Sequence, residues 1–216
     1  MKLSSRSFAA GDRIPPEFAF AAPDVISHIS LSTNRNPHLT WSDVPEGTGS
    51  FVLVCQDPDA PATREDVNVE GRFVSADRAR GSFVHWLLLD IPAETTEIAA
   101  GSHSAAVTAR GKSGPGAGVG IRHGINDYTN WFVGDPDMEG TYFGYDGPCP
   151  PWNDMLPHRY VFTIYALATP TLRVDEPLTG ANVVRELAEA EVLGSAELVG
   201  WYSLNPDVSA PPAEER

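Results

Sequence analysis

Two lysines and two cysteines stand in a chain of 216 residues. Cys55 and Cys149 are too few for a disulfide framework, and no CxxC or HExxH spacing suggests a metal site. With 13 arginines beside those two lysines, the 29 Asp and Glu leave a formal net charge of −14. Nucleic-acid phosphates and anionic bilayers repel such a surface, so nonspecific nucleic-acid binding and stable membrane insertion are excluded. A pocket for one phosphate survives this argument, because local donors outweigh a distant, screened net charge. No apolar run reaches 18 residues, as a membrane helix would need. The first 20 residues are broken by Arg6, Gly11, Asp12, Arg13 and Pro15–Pro16, and have no signal-peptide apolar region, so a cytoplasmic location is expected.

Several catalytic signatures are missing as well. The segment GKSGPGAGVGIRHG (111–124) contains neither G-x-G-x-x-G nor G-x-x-x-x-G-K-[ST], so a loop is expected there and no nucleotide cofactor. Ser113 is followed by Gly114 and Pro115, which is not a nucleophile elbow. Asp135, Asp137, Glu139, Gly140 and Asp146 approximate a calcium-loop spacing. The last acid is Asp where a bidentate Glu is needed, Pro136 stiffens the second position, and an acidic solvent loop is the expectation.

Hydrophobic residues make up 42% of the chain, enough for a sizeable core. Gly 19 and Pro 19 punctuate it too densely for a helical bundle and indicate short strands joined by turns and long loops. A single domain spanning 1–216 is expected, with its core at about 8–202 and a frayed tail from 206 to 216. Strands are expected at Val25–Leu31, Ser50–Val54, Phe83–Ile91 and Tyr160–Leu167. The last three are apolar almost throughout, as strands covered on both faces are. Val183, Leu187 and Ala190 recur at helical spacing, with Val184 and Leu193 widening the stripe, Arg185 placed to pair with Glu189, and Gly194 as the stop. For AELVGWYSL (196–204), helix and strand both remain open. Ala62–Gly81, Gly111–Gly124 and Asn126–Pro157 read as loops, and loops of that length in a compact domain are usually functional.

Four elements carry the chemistry, in chain order. They are Asp57-Pro58-Asp59-Ala60-Pro61 after the strand FVLVCQ, His85-Trp86 inside FVHWLLLDIP, Tyr145-Asp-Gly-Pro-Cys149-Pro150-Pro151, and His158-Arg159-Tyr160 opening RYVFTIYAL. Each alone has a bland reading: turn acids, a core histidine, a stiffened loop, an inert thiol. Gathered in one cleft they would offer imidazole donors and loop amides to an anion, and carboxylates to orient a histidine or pair with a ligand ammonium. Tyr145 and Trp86 would supply an apolar wall.

These elements, together with INDY at Ile125–Tyr128, resemble the phosphatidylethanolamine-binding protein family, in its prokaryotic Raf kinase inhibitor-like branch, from about Phe8 to Tyr202. The resemblance implies a mostly β fold, an antiparallel Greek-key β-sandwich with a few peripheral helices, one of them near the C-terminus. It implies a small cavity for phosphate or phosphorylethanolamine-type head groups at Asp57, Asp59, His85, Pro150, Pro151 and His158, with Tyr145 and Cys149 contributing. It implies no metal and no cofactor. The partners it implies are the small anionic or zwitterionic ligand, a kinase or protease subject to regulation, and a second copy in a homodimer. Two stretches, 62–81 and 129–143, are longer than the resemblance accounts for and are expected to border the cavity mouth. A binding module is therefore the leading reading. The alternatives are a small hydrolase using His85 or His158 as a base oriented by Asp57, and an interaction protein with a vestigial cavity.

Overall fold

The computed structural model describes residues 1–210. Ten strands follow in chain order: β1 (Lys2–Ser4), β2 (Ala21–Asp24), β3 (His28–Leu31), β4 (Leu39–Ser42), β5 (Ser50–Pro61), β6 (Arg80–Pro92), β7 (Glu97–Ile98), β8 (Arg122–His123), β9 (His158–Leu167) and β10 (Val192–Tyr202). Two helices interrupt them, α1 (Tyr128–Trp131) and α2 (Gly180–Glu189). All named strand pairs are antiparallel. They form a five-stranded sheet β10-β9-β5-β6-β8, a three-stranded sheet β1-β4-β7 and the hairpin β2-β3.

The apolar runs become the centre of the large sheet because both faces are covered. Phe51, Leu53 and Cys55 of β5 join Trp86, Leu88, Phe162 and Ile164 in a core that meets Leu39, Trp41 and Ile98 of the smaller sheet. Trp41 packs edge-on against Phe51 with ring centres 5.4 Å apart. The alternate residues Val52 and Val54 join Leu87, Leu89, Val183 and Leu187 beneath α2. This period-two division between two cores is why the sequence shows no polar face there.

Two irregularities position the residues of interest. Asp57 pairs with Phe83 and Ala60 with Gly81, so β5 carries an extra residue around Pro58–Asp59. Proline, unable to donate to the ladder, is tolerated at such a bulge, and the DPDAP segment lies inside β5 instead of beyond its end. On β6, Trp86 pairs with Cys55 and Val84 with Gln56, which leaves His85 as the extra residue of a second bulge. A bulge re-aims the side chain it carries, here beside Trp86 on the inter-sheet side while Val84 faces α2.

Other local expectations need correcting. Only His28–Leu31 of the expected strand at 25–31 is extended. Asp24 Oδ1 accepts from the backbone N–H groups of Ile26 and Ser27, which makes 25–27 a hairpin turn and leaves Val25 and Ile26 exposed at its tip. Thr179 caps α2 through the Asn182 N–H, and Val183 and Leu187 face the core as the spacing indicates. The helix ends at Glu189, Arg185 pairs with Glu186, and Gly194 sits at a register shift in β10 instead of closing a helix. Pairing with β9 decides 196–202 as strand. The tail expected to fray from 206 begins with a turn in which Asp207 and Val208 donate back to Asn205, and residues 211–216 lie outside the described residues.

Candidate functional site

A cavity of about 350 Å³ opens where the two bulges, the start of β9, α1 and the Cys149–Pro151 loop converge. It is lined by Asp57, His85, Cys149, Pro150, Pro151 and His158, six of the eight residues singled out in the sequence. Asp59 and Tyr145 are not among its lining residues. Asp59 turns away to accept from the backbone N–H, Nε and Nη2 of Arg159. Burial works to raise the Asp59 pKa, yet the Arg159 bonds and charge carry it below the usual carboxylate value. Tyr145 is fully buried, donates to the Phe18 carbonyl at 2.5 Å and packs edge-on against Trp86. Tyr145 and Trp86 therefore belong to the core and not to the cavity wall.

The wall is instead built by Phe83, Tyr128, Trp131 and Tyr160. Tyr128 and Tyr160 stand edge-on to the His85 ring at 5.6 and 5.1 Å, and Phe83 lies 4.9 Å from it. INDY gave one signal for Tyr128, and Tyr160 stands two residues after His158. Neither carried a role, because neither the turn over 126–128 nor the inward face of β9 is visible in spacing alone. Arg64 and Asn130, also missed, come to the cavity from the two long stretches, and Asp127 comes from INDY beside Tyr128.

His158 is flanked by two carboxylates. Its Nδ1 donates to Asp57 Oδ2 at 2.7 Å and its Nε2 to Asp154 Oδ2 at 3.1 Å, while Arg80 reaches Asp154 at 2.6 Å. Burial alone would lower the His158 pKa, but Asp57 and Asp154 raise it to about 9, so the ring is an imidazolium at neutral pH. Both of its donors are occupied. Asp57 Oδ1 accepts from the Asp59 N–H, which leaves this acid held at both oxygens.

His85 is the opposite case. Its Nδ1 donates to the Asp146 carbonyl at 2.7 Å, and burial lowers its pKa, so the neutral ring presents a lone pair at Nε2. The Tyr128 hydroxyl is used, donating to the Gly147 carbonyl at 2.8 Å. The Tyr160 ring lines the cavity, while its hydroxyl is buried out of reach of solvent and has no hydrogen-bond partner among the described residues. Burial raises the Tyr160 pKa, which keeps it a donor. Burial also pushes the Cys149 thiol up to about 12, so it is no thiolate nucleophile.

The calcium-like spacing does not assemble. Asp135 Oδ1 caps its own turn through the Asp137 and Met138 N–H groups, whereas Asp146 is buried on Lys112, Asn34 and Asn126. Among the described residues no cluster of three or more His, Cys, Asp or Glu could hold a metal ion.

Comparisons with known proteins agree with this architecture. The family model for phosphatidylethanolamine-binding proteins matches residues 4–203. A UPF0098 protein of Aquifex aeolicus is 30% identical over 202 residues, covering 94% of this chain and 88% of the relative. YbhB of Escherichia coli, also a UPF0098 protein, is 31% identical over 203 residues, covering 94% of this chain and all of the relative. The crystal structure of Escherichia coli YbcL, described as a member of the mammalian PEBP family, superposes with a TM-score of 0.64 at 26% identity, covering 94% of this chain and 97% of that one. A putative PEBP homologue from Chlamydia trachomatis gives 0.60 at 26% identity, covering 94% and 96%. With the antiparallel sheets and a match across nearly the whole chain in agreement, the chain belongs to the phosphatidylethanolamine-binding protein family.

Proposed function

We propose that the protein is a binding module for a small phosphate-type anion or phosphorylated head group, held in the cavity at His85, Tyr160, Asp57 and the Cys149–Pro151 loop. The observation that carries this reading is His85, whose ring is held by the Asp146 carbonyl at Nδ1 on the wall of a preformed cavity beside the Cys149–Pro151 loop. Its neutral Nε2 would accept from a protonated phosphate oxygen. Asp57 is a poor neighbour for a dianion and a good one for a ligand ammonium, so a zwitterion such as phosphorylethanolamine satisfies both ends of the pocket.

Turnover is not part of this reading. His158 has no free nitrogen to act as a base, and Asp57 orients His158 instead of His85. The oriented-base arrangement of a hydrolase is therefore not assembled at either ring. No helix among the described residues is long and apolar enough to cross a membrane. With a net charge of −14, any lipid contact is capture of a head group and not docking on an anionic bilayer.

The test is an NMR titration of isotope-labelled protein with O-phosphorylethanolamine, run beside His85→Ala and Tyr160→Phe. Saturable shifts around Asp57, His85 and Cys149 are expected in the wild type at roughly millimolar affinity, near −4 kcal/mol. They should be lost in His85→Ala and persist in Tyr160→Phe, which keeps the ring that lines the cavity. Flat spectra for all three proteins would end the proposal, as would turnover of the ligand.

A further inference from the structure

Arg64 is the one lysine or arginine among the residues lining the cavity. Its Nη2 donates to the carbonyls of Asn130 and Trp131 at 2.8 and 2.7 Å, and its guanidinium lies 4.4 Å above the Trp131 ring. Those bonds take two of the five N–H donors of an arginine, and Nη1 and Nε remain. No carboxylate forms an ion pair with Arg64 among the described residues, although the chain holds 29 acidic residues. The neighbouring backbone is fixed, because Arg78 donates to the Glu65 carbonyl at 2.6 Å and to Thr63 Oγ1 at 2.9 Å. Arg64 is thus a positioned cation whose remaining Nε and Nη1 donors can each give a charge-assisted hydrogen bond to an anionic oxygen.

The charges lining the cavity sharpen this. The His158 imidazolium is already compensated by Asp57 and Asp154. Asp127 adds a further acid, its Oδ2 accepting from the Val84 N–H while burial raises its pKa. Arg64 alone offers an uncompensated positive charge to a ligand, and it sits at the mouth, where the two long stretches 62–81 and 129–143 meet. A phosphorylated ligand that ends in an ammonium and seats its phosphate at His85 has no second anionic group to give it. A ligand with a second anionic group beside the ammonium gains that contact.

We infer that Arg64, seated on Trp131, is a specificity-determining residue that selects phosphoesters carrying an additional carboxylate, the chemistry of a phosphoserine head group, over their ethanolamine counterparts. This inference rests on the phosphate-pocket reading above. The carboxylate accepts from the free Nη1 or Nε of Arg64, the phosphate lies toward His85, and the ammonium lies between Asp57 and Asp127. The shared chemistry could be supplied by a free phosphomonoester or by the phosphodiester of a lipid head group.

The experiment is a set of NMR titrations with O-phosphoserine, O-phosphorylethanolamine, glycerophosphoserine and glycerophosphoethanolamine, on wild type, Arg64→Gln and Arg64→Lys. The serine member of each pair should bind roughly fivefold more tightly in the wild type, as a charge-assisted contact at a solvent-facing site allows. Arg64→Gln should abolish that preference while leaving the ethanolamine ligands within about twofold, and Arg64→Lys should retain part of it. Comparing the monoester pair with the diester pair tells which source the pocket accepts. Equal binding of serine and ethanolamine ligands to the wild type would overturn the role of Arg64, as would a preference that survives Arg64→Gln. Silence of all four ligands would instead bring down the phosphate reading itself, and the two failures are told apart by whether O-phosphorylethanolamine binds.

Discussion

His158 and His123 are both buried strand residues, 1% and 7% exposed, yet the fold holds one charged and the other neutral at pH 7. At the cavity, His158 lies between Asp57 and Asp154, with Arg80 completing an alternating row of charges. Behind Trp86, on the far side of β6, His123 has no carboxylate partner among the described residues. Its Nε2 faces the Nδ1 of His103 at 3.3 Å, its Nδ1 has no hydrogen-bond partner, and Lys112 lies close enough to oppose a positive charge. Burial, then His103 and Lys112, lowers the His123 pKa to about 4. Burial acts in the same direction on both rings, so the difference comes from the carboxylates that the DPDAP bulge and Asp154 deliver to one site and not to the other.

The largest expected contrast comes from removing each ring. His158→Leu strands two buried carboxylates and should cost about 3–5 kcal/mol in urea unfolding. His123→Leu removes a neutral ring with an orphaned nitrogen and should change stability by no more than about 1 kcal/mol. Equal costs would break the comparison.

Stability against pH should show the two rings as opposite limbs. His158 has its folded pKa raised from 6.5 to about 9, so its contribution is complete below 6.5 and is lost as the pH rises through about 9. His123 has its folded pKa lowered from 6.5 to about 4, so its contribution is complete above 6.5 and is lost as the pH falls toward 4. Each limb is worth on the order of 3 kcal/mol at about 1.4 kcal/mol per pKa unit. Urea unfolding across pH 4 to 9 should peak near 6.5, and His123→Leu should flatten only the acid side, to which the burial-lowered His85 also contributes.

The smallest effect tests the two acids of DPDAP against each other. Asp59 pairs with Arg159, whose side chain is 42% exposed, so solvent screening limits Asp59→Asn to about 1 kcal/mol. Asp57→Asn, which breaks the fully buried pair with His158, should cost several times more in the same assay. It should also lower the His158 pKa, measurable by histidine NMR.

Much of this arrangement can be read in the sequence, and the gaps have physical causes. The runs SFVLV, FVHWLLLDI and YVFTIYAL announce central strands because residues on both faces are buried. Asp57, His85, Pro150, Pro151 and His158 are legible as a group through the DPDAP, HW, GPCPP and HRY wording they share with the family. What escapes is which way a side chain points. Two residues apart, Asp57 faces the cavity and Asp59 faces Arg159, because a bulge stands between them and breaks the strand's period. Tyr145 reads as a wall residue beside a conspicuous loop, yet its hydroxyl is committed to Phe18. Tyr160 earns its place only once the inward face of β9 is known. Arg64 and Trp131 come from stretches with no periodicity, 67 residues apart, and only the folded chain brings them together.

Histidine side-chain ¹⁵N spectra at pH 7, recorded through a titration with O-phosphorylethanolamine, test the central claim most directly. The account predicts a saturable displacement of the His85 ring, a His158 ring that stays charged throughout, and a neutral His123 that does not respond. A His85 ring that ignores the ligand, or a neutral His158 in the free protein, would contradict it.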